Sequence, residues 1–325
     1  MKKTFFITGG TGSLSKNLIE YLIKKKLAKK IILFSRDEFK QSKLIELPYI
    51  KKNLEIFRFF IGDIRDRSRL EWALSSEVDI VIHTAALKHV PITEYNPFET
   101  VKTNIVGSQN LIEICIKKKI DKSILVSTDK AVSPINLYGS TKLTAEKLFI
   151  SANLFKGKSK SKFSVARYGN VMGSRGSVIP ILLKQNQNKK NFSITDNRMT
   201  RFNITLKDAV KFVLYSIFNM KGGEIFIPKC PSYKIMDIAK SINSKAKIDF
   251  IGIRAGEKLH EELINKSEYF NTIERNNDYI IYPLKKNIKK VNSPGISYNS
   301  FDNPNYLSVK EIKNLIKQNI LDFET

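Results

Sequence analysis

Apolar positions follow two rhythms along the first half of the chain. Short runs that are apolar almost throughout, rich in β-branched and aromatic residues, read as strands: "KTFFITG", "KKIILFS", "LEIFRFFIGD", "VDIVIHTAA", "KSILVSTD" and "KFSVARYGN". Between them the apolar residues recur at helical spacing. In "NPFETVKTNIVGSQNLIEICIKKK", Asn96 stands at the capping position and Pro97 at the first helical one. Strands apolar on both faces must be covered on both, so the alternation predicts an α/β fold built on a parallel sheet between helix layers. After about residue 168 the rhythm breaks into a turn "GSRGS", a helix "VIPILLKQNQ" and a polar stretch "KKNFSITDNRMTR". A strongly amphipathic pattern over 205–219 predicts a helix that returns to the first layer. The expected units are therefore 1–168, rejoined by about 196–228, and a smaller one over 169–325. Beyond Lys285 the chain is rich in Lys, Asn and Ser, a composition that predicts partial mobility. There is no internal repeat.

Composition adds limits. With 325 residues and 42% hydrophobic content, the chain can fill one large α/β domain or two modest ones. No apolar run approaches the roughly 18–20 residues of a membrane helix, so membrane insertion is not expected. The opening "MKKTFFITGG" runs into a glycine turn too early for a secretory signal. Cys115 and Cys230 lie far apart without metal-ligand spacing, so a reducing, cytoplasmic setting is the expectation, with Cys115 a small core residue. Fifty-six Lys and Arg against 31 Asp and Glu give a formal charge of +25. That charge is spread along helix faces such as "LIKKKLAKK" and "CIKKKIDK", with no basic arm. It reads as a solvated surface rather than a footprint for stable nucleic-acid binding, and it would suit a nucleotide-linked substrate.

The chemistry-bearing motifs fall at strand ends. "ITGGTGSLS" follows the first strand and opens a helix, where Gly9 and Gly12 let the backbone approach a pyrophosphate; Thr8 and Ser13 flank them as further cofactor contacts. Ser15 stands where a third glycine is expected, which predicts looser helix–strand packing. In "FSRDE", Ser35 and Arg36 end the second strand. A guanidinium there, with Lys40 nearby, favours a 2′-phosphate and hence NADP, the alternative being an ordinary surface arginine. Asp63 and Ile64 in "IGDIRD" and the small Ala85 and Ala86 in "HTAALKH" complete the expected cofactor contacts. Tyr138 and Lys142 stand one helical turn apart, a spacing in which the amine would lower the phenol's pKa and make a base for an alcohol proton. They follow a strand end carrying Thr128, Asp129 and Lys130. His83, His89 and His260 have no ligand spacing and read as structural imidazoles, with no metal expected.

Together these motifs resemble the extended short-chain dehydrogenase/reductase family. Within it, "STDKA…PINLYGSTK", "RYGNVMGSRGSV", "ITDNRMTRF" and "RAGEKLHE" are similar to the inverting UDP-N-acetylglucosamine 4,6-dehydratases of the pseudaminic acid type, as far as about residue 265. Departures are Ser15 and Ala255, which stands where such enzymes usually carry proline. The resemblance implies a Rossmann-type doubly wound parallel sheet that holds NADP, with a smaller C-terminal domain for the UDP-sugar. It implies that Tyr138 and Lys142 form the oxidising pair, with Thr128 beside Ser127 holding the 4-hydroxyl. Asp129 would then be the acid for the departing 6-hydroxyl and Lys130 the base at C5, where retaining relatives carry glutamate. Lys88 and Asn104 belong to the cofactor region, Lys88 also near the sugar, while Asn170, Arg201, Arg254 and Glu257 anchor the UDP-sugar. Two arginines suit a diphosphate. A water-poor site with two amines is expected to push Lys130 down and burial to push Asp129 up. Relatives of this kind pair as dimers or hexamers through helices here at about 96–119 and 138–155, with Ile105, Leu143 and Phe149 outside one core stripe. Two alternatives stay open: a UDP-sugar epimerase of the same fold, and a non-catalytic NADP- or nucleic-acid-binding protein.

Overall fold

Strands form where the apolar runs fall. They are β1 Lys3–Thr8, β2 Ala28–Ser35, β3 Phe57–Ile61, β4 Ile80–His83, β5 Lys122–Thr128, β6 Lys162–Tyr168, β7 Asn170–Val171, β8 Phe192–Ile194, β9 Thr200–Ile204, β10 Ile225–Pro228, β11 Ser232–Lys234, β12 Ile248–Phe250, β13 Glu262–Ile264, β14 Thr272–Glu274, β15 Asp278–Ile281 and β16 Tyr298–Asn299. This computed structural model describes residues 1–173, 177–284 and 297–319. Nine strands make one sheet in the order β14-β15-β10-β6-β5-β4-β1-β2-β3. Neighbours run parallel from β3 to β10, and β15 and β14 close the far edge antiparallel. Phe5, Phe6, Ile7, Val81, Ile82, Leu125 and Val165 are fully buried along the central strands. Each such side chain contributes about 1.5–3 kcal/mol. Stability therefore resides in the sheet's middle, and the carboxyl ends of the strands are left for chemistry. The chain leaves β1 toward β2 and β3, then returns to β4 on the other side, which makes a Rossmann-type switch point between β1 and β4.

The helix Leu206–Asn219 is capped by Thr205 and packs on Ser13–Lys24 and on β5 and β6. A second hydrophobic cluster, including Met172, Leu182, Phe192, Met199, Ile238 and Ile312, is built from the short sheets β11-β9-β7 and β12-β8 and their helices. A fully buried guanidinium ties β6 to the helices Leu137–Phe155 and Lys266–Tyr269. Arg167 on β6 pairs with Glu146 at 2.6 Å and Glu268 at 2.8 Å. Cys115 and Cys230 are buried free thiols.

Two local expectations are corrected, and part of the polar tail has defined structure. The polar tail past residue 285 is ordered over 297–319: β16 pairs with β13, and the helix Val309–Gln318 packs on Ile235–Ile242. Its amphipathic register buries Ile312 and Ile316, and Ser308 with Glu311 forms a capping box. The rest of that segment, 285–296 and 320–325, lies outside the described residues. The run 96–119 is not one capped helix. Asn96 makes no side-chain cap, and the helix Pro97–Val101 passes through a π-helical segment, Lys102–Val106, into Gly107–Lys117. The start of "LEIFRFFIGD" is a 3₁₀ turn, Leu54–Ile56, so β3 begins only at Phe57.

Candidate active site

Gly9 sits at φ +65°, and a Cβ there would lie 2.8 Å from the Thr84 hydroxyl and 2.9 Å from the Ala85 nitrogen. Only glycine lets the first turn pass so close to the end of β4. Gly12 precedes the helix Ser13–Lys24, whose first turn no side chain caps. The outcome is an open helix N-terminus behind a glycine turn, a cradle that fits a pyrophosphate. Ser15 does not loosen it. Its side chain is fully buried, donates to the Gly9 carbonyl at 3.1 Å and meets the Thr84 hydroxyl at 3.2 Å. Thr8 is turned inward, its hydroxyl 2.7 Å from His83 Nδ1, so it holds β1 to β4. His83 bonds Ser108 through its other nitrogen at 3.0 Å, and burial drives its pKa down to about 3, a structural imidazole.

Further along the cradle, Ser35 is buried and accepts from the Gln41 amide at 2.9 Å. Arg36 is exposed and 3.6 Å from Asp63, while Lys40 pairs with Asp37 at 2.7 Å. Burial works against ionised Asp63, but Arg65, assisted by Arg36, holds its carboxyl below the usual range. Ile64 is buried against Gly107. Ala85 and Ala86 are half-buried after β4, and Lys88 is exposed beyond them. Asn104, in the π-helical segment, binds Leu87 N at 2.8 Å and Leu87 O at 2.9 Å and also reaches Thr141. It grips the loop rather than presenting its amide to a ligand.

At the end of β5 the chain turns at once into a 3₁₀ segment, Asp129–Ala131. Asp129 Oδ1 accepts from the Thr128 hydroxyl at 2.9 Å and from Lys130 Nζ at 3.0 Å. Asp129 Oδ2 is buried without a partner. The helix Leu137–Phe155 begins under Asn136, which accepts from Gly139 N at 2.8 Å. A Cβ on Gly139 would lie only 2.1 Å from the Lys130 carbonyl, so the helix presses directly on the 3₁₀ turn. This places Tyr138 beside Thr128 and Lys130.

Burial raises Tyr138 to about 12, against the pull of Lys130 and hydrogen bonding with Thr128. Lys142 acts differently from the expectation. Its Nζ donates to the Val126 carbonyl at 2.8 Å, and burial lowers it to about 8, so it is not the cation that acts on the phenol here. Burial raises Asp129, with Glu261 adding to the effect and Lys130 opposing it. Lys130 also departs from expectation: burial would lower it, but Asp129 and Glu261 outweigh that and hold the ammonium above its ordinary range.

The substrate side comes from the second half of the chain. Arg201 on β9 is largely buried, its guanidinium donating to the carbonyls of Thr200 at 2.7 Å and Leu259 at 3.0 Å. Arg254 and Glu257 face one another at 3.9 Å on an outer turn, which Asn136 ties down through the Gly256 carbonyl at 2.8 Å. Asn170 lies on β7 with its carbonyl oxygen buried and unpartnered. Glu261, which the motif reading passed over, lies 3.2 Å from Lys130 Nζ and 3.9 Å from Arg201 Nε. No local pattern marked it: Glu261 directly precedes β13, in which Leu263 and Ile264 are both fully buried on opposite faces. Of eight buried, unpartnered side-chain atoms among the described residues, five belong to Ser127, Asp129, Asn170, Asn203 and Glu261. Such a gathering of unmet polar groups marks a cleft for a polar ligand. Among the described residues no cluster of His, Cys, Asp and Glu could hold a metal.

Residues 5–283 match the model of a family described as polysaccharide biosynthesis protein. The chain belongs to this family. One relative, a UDP-N-acetylglucosamine 4,6-dehydratase (inverting) from Campylobacter jejuni serotype O:2, is 47% identical over 97% of both chains. A UDP-glucose 4-epimerase from Rickettsia bellii is 42% identical over 86% of this chain and 82% of its own. The X-ray structure of Pen from Bacillus thuringiensis superposes with a TM-score of 0.89 at 39% identity over 98% of both chains. The family assignment and the doubly wound fold agree with the extended short-chain dehydrogenase/reductase resemblance. No helix among the described residues is long and apolar enough to cross a membrane.

Proposed function

We propose that this polysaccharide biosynthesis family member is a C5-inverting UDP-N-acetylglucosamine 4,6-dehydratase, a hydro-lyase that forms a 4-keto-6-deoxy sugar for a surface sugar of the pseudaminic acid type. The observation that carries this reading is the strand end itself. A buried carboxyl with one idle oxygen and a lysine share the turn against which the Tyr138 helix packs. A 4-epimerase needs only the tyrosine and has no use for an acid and an amine beside it.

The residues fit a dinucleotide: Gly9, Gly12 and Ser13 would hold the pyrophosphate, and Arg36, with Lys40, supports NADP over NAD. The bound nicotinamide supplies a hydride acceptor at C4 and a hydride donor at C6. Tyr138, aligned by Thr128, takes the proton of the 4-hydroxyl. The resulting ketone acidifies the hydrogen at C5. Asp129, whose carboxyl burial pushes above its ordinary range, gives a proton to the departing 6-hydroxyl through the idle Oδ2. Lys130, in its amine form, takes the C5 proton from one face, a solvent-derived proton returns to the opposite face, and C5 inverts. Arg201, Arg254, Glu257 and Asn170 hold the UDP-sugar, with Lys88 near its ring. In this division, residues 1–168 with 196–228 serve the cofactor, and 169–325 serve mainly the sugar.

The test is turnover of UDP-N-acetylglucosamine in heavy water, read by mass spectrometry and NMR. The product should be lighter by one water, deuterated at C5 and inverted there. A product of unchanged mass, the outcome an epimerase would give, would refute the reading.

A further inference from the structure

A short loop, 131–137, connects Asp129 and Lys130 to Tyr138, and its shape decides whether acid, amine and phenol face one point. Ser133 within it sits at φ +42°, a left-handed backbone that a residue other than glycine holds only where its surroundings fix it. Two hydrogen bonds join this loop to the other half of the chain. Lys258 Nζ donates at 2.6 Å to the carbonyl of Val132, on the peptide that leads into Ser133. Asn136 Nδ2 donates to the Gly256 carbonyl at 2.8 Å, while its Oδ1 caps the Tyr138 helix by accepting from Gly139 N at 2.8 Å. Gly256 itself lies at φ +80°, and a Cβ there would stand 3.0 Å from Asn136 Cβ, so turn and loop are pressed together.

The far ends of both bonds belong to the turn that carries Arg254 and Glu257. Packing does little to place this turn: no side chain from Ile251 to His260 is buried. It is strung between two fixed points. On one side Ile251 N donates to the Ile194 carbonyl at 2.9 Å. On the other, Glu261 is clamped by Ser300, with Glu261 N donating to Ser300 Oγ at 2.9 Å and Ser300 N donating to the Glu261 carbonyl at 2.8 Å. Between them, Thr200 N and Arg201 hold the Leu259 carbonyl, and Lys258 and Asn136 make the connections to the catalytic loop. A segment held by hydrogen bonds rather than by a core is of low local stability, and a ligand that engages it orders it.

We propose that Lys258 and Asn136 couple the UDP-anchoring turn to the catalytic loop, so that binding of the nucleotide part of the substrate fixes Asp129, Lys130 and Tyr138 in place. Both are positioning residues that act through the backbone. The inference rests on the reading above in one respect, that Arg254 and Glu257 hold the UDP portion. Binding energy from that remote end of the substrate then serves to align the groups around the sugar.

Two variants of the full chain each remove one donor. Lys258→Met keeps an unbranched side chain, and Asn136→Asp keeps an oxygen for Gly139 N, so the helix cap survives. The first probe is UDP alone, because none of its proposed anchors lies on 129–137. Hydrogen–deuterium exchange is read over that stretch with and without UDP, and UDP affinity by calorimetry. In the wild type UDP should slow exchange there several-fold. Each variant should bind UDP as tightly or more tightly, since binding no longer has to order the loop, and should show little protection. With NADP and UDP-N-acetylglucosamine, kcat should fall about a hundredfold, the cost of misplacing reacting groups by ~1 Å, while KM moves a few-fold. Lys258→Arg, which keeps a cationic donor, should recover part of both the rate and the protection. Equal UDP protection of 129–137 in wild type and variants would overturn the proposal, as would wild-type kcat in both variants. So would a wild type that binds UDP without protecting this stretch. Loss of UDP affinity along with protection would overturn it too, since the two residues would then only build the UDP site. If Lys258→Met does not fold, Asn136→Asp decides alone. A wild type that does not bind UDP would instead defeat the UDP-sugar reading.

Discussion

At the scale of single residues, the cofactor end of the site gives a clear prediction. Arg36 is exposed and only loosely engaged by Asp63 at 3.6 Å, so its guanidinium is available to a 2′-phosphate. Arg36→Asp would put a carboxylate where that phosphate must lie, beside the existing charge of Asp63. We expect titrations to give tighter binding of NADP than NAD in the wild type, and Arg36→Asp to erase or reverse the ratio. Equal wild-type affinities would sink the idea. Legibility at this scale depends on sequence distance. Tyr138, Lys142, Asp129 and Lys130 lie in one stretch, and strand and helix periods alone bring them to one strand end. What the chain could not disclose is which amine acts on which acid. Lys142 is tied to the Val126 carbonyl, and the charge that reaches Tyr138 comes from Lys130. Glu261 escaped because its partner lies in the other half of the chain, and only the fold brings them within 3.2 Å.

At the scale of elements, β1, β4 and the helix Gly107–Lys117 are laced together by one imidazole. His83 spans Thr8 and Ser108, stacks on Phe149 and is fully buried. Burial first, and Lys142 second, lowers its pKa from 6.5 to about 3. Between those values the unfolded chain binds a proton that the folded one refuses. Stability therefore falls as the pH drops from 6.5 toward 3, by about 1.4 kcal/mol per pH unit, and this group has no effect above that window. Chemical denaturation at a series of pH values should show this slope in the wild type and a shallower one in His83→Asn. Identical slopes would show that carboxylates alone govern the acid limb. Helix boundaries were less legible than strands here. Within the π-helical segment Lys102–Val106, Asn104 grips Leu87, a tertiary contact that no local pattern announces.

At the scale of the whole molecule, the parallel sheet between helix layers followed from the alternation of runs, but the structured tail did not. Its short polar strand and helix are stable only because Ile312 and Ile316 meet the second core. The surface also corrects one expected interface residue: Phe149 is fully buried, packed on Phe163 and His83, and Ile105 and Leu143 are half-buried. Other apolar groups of the same helices remain outside. Phe98 is 66% exposed, Leu154 68% and Phe155 52%. We expect the chain to self-associate through this face as a dimer or hexamer, so sedimentation at micromolar concentration should show a species heavier than the 37.2 kDa chain. A strictly monomeric profile would count against it. Single-sign charge of +25 opposes such pairing, so association should strengthen with added salt.

The Ser300 clamp bears on the order in which the protein becomes competent during synthesis. The glycine turn, β1 to β6 and the Tyr138 helix leave the ribosome early, and all their partners for the cofactor cradle are already made. Ser300, which fixes Glu261 N and also bonds the Thr200 hydroxyl at 2.7 Å, emerges near the end of translation. A nascent chain can thus acquire its nucleotide pocket well before the carboxylate that pairs with Lys130 is held in place. Trimming the C-terminal segment back past residue 300 is, for the same reason, an alteration of the catalytic centre rather than of an appendage.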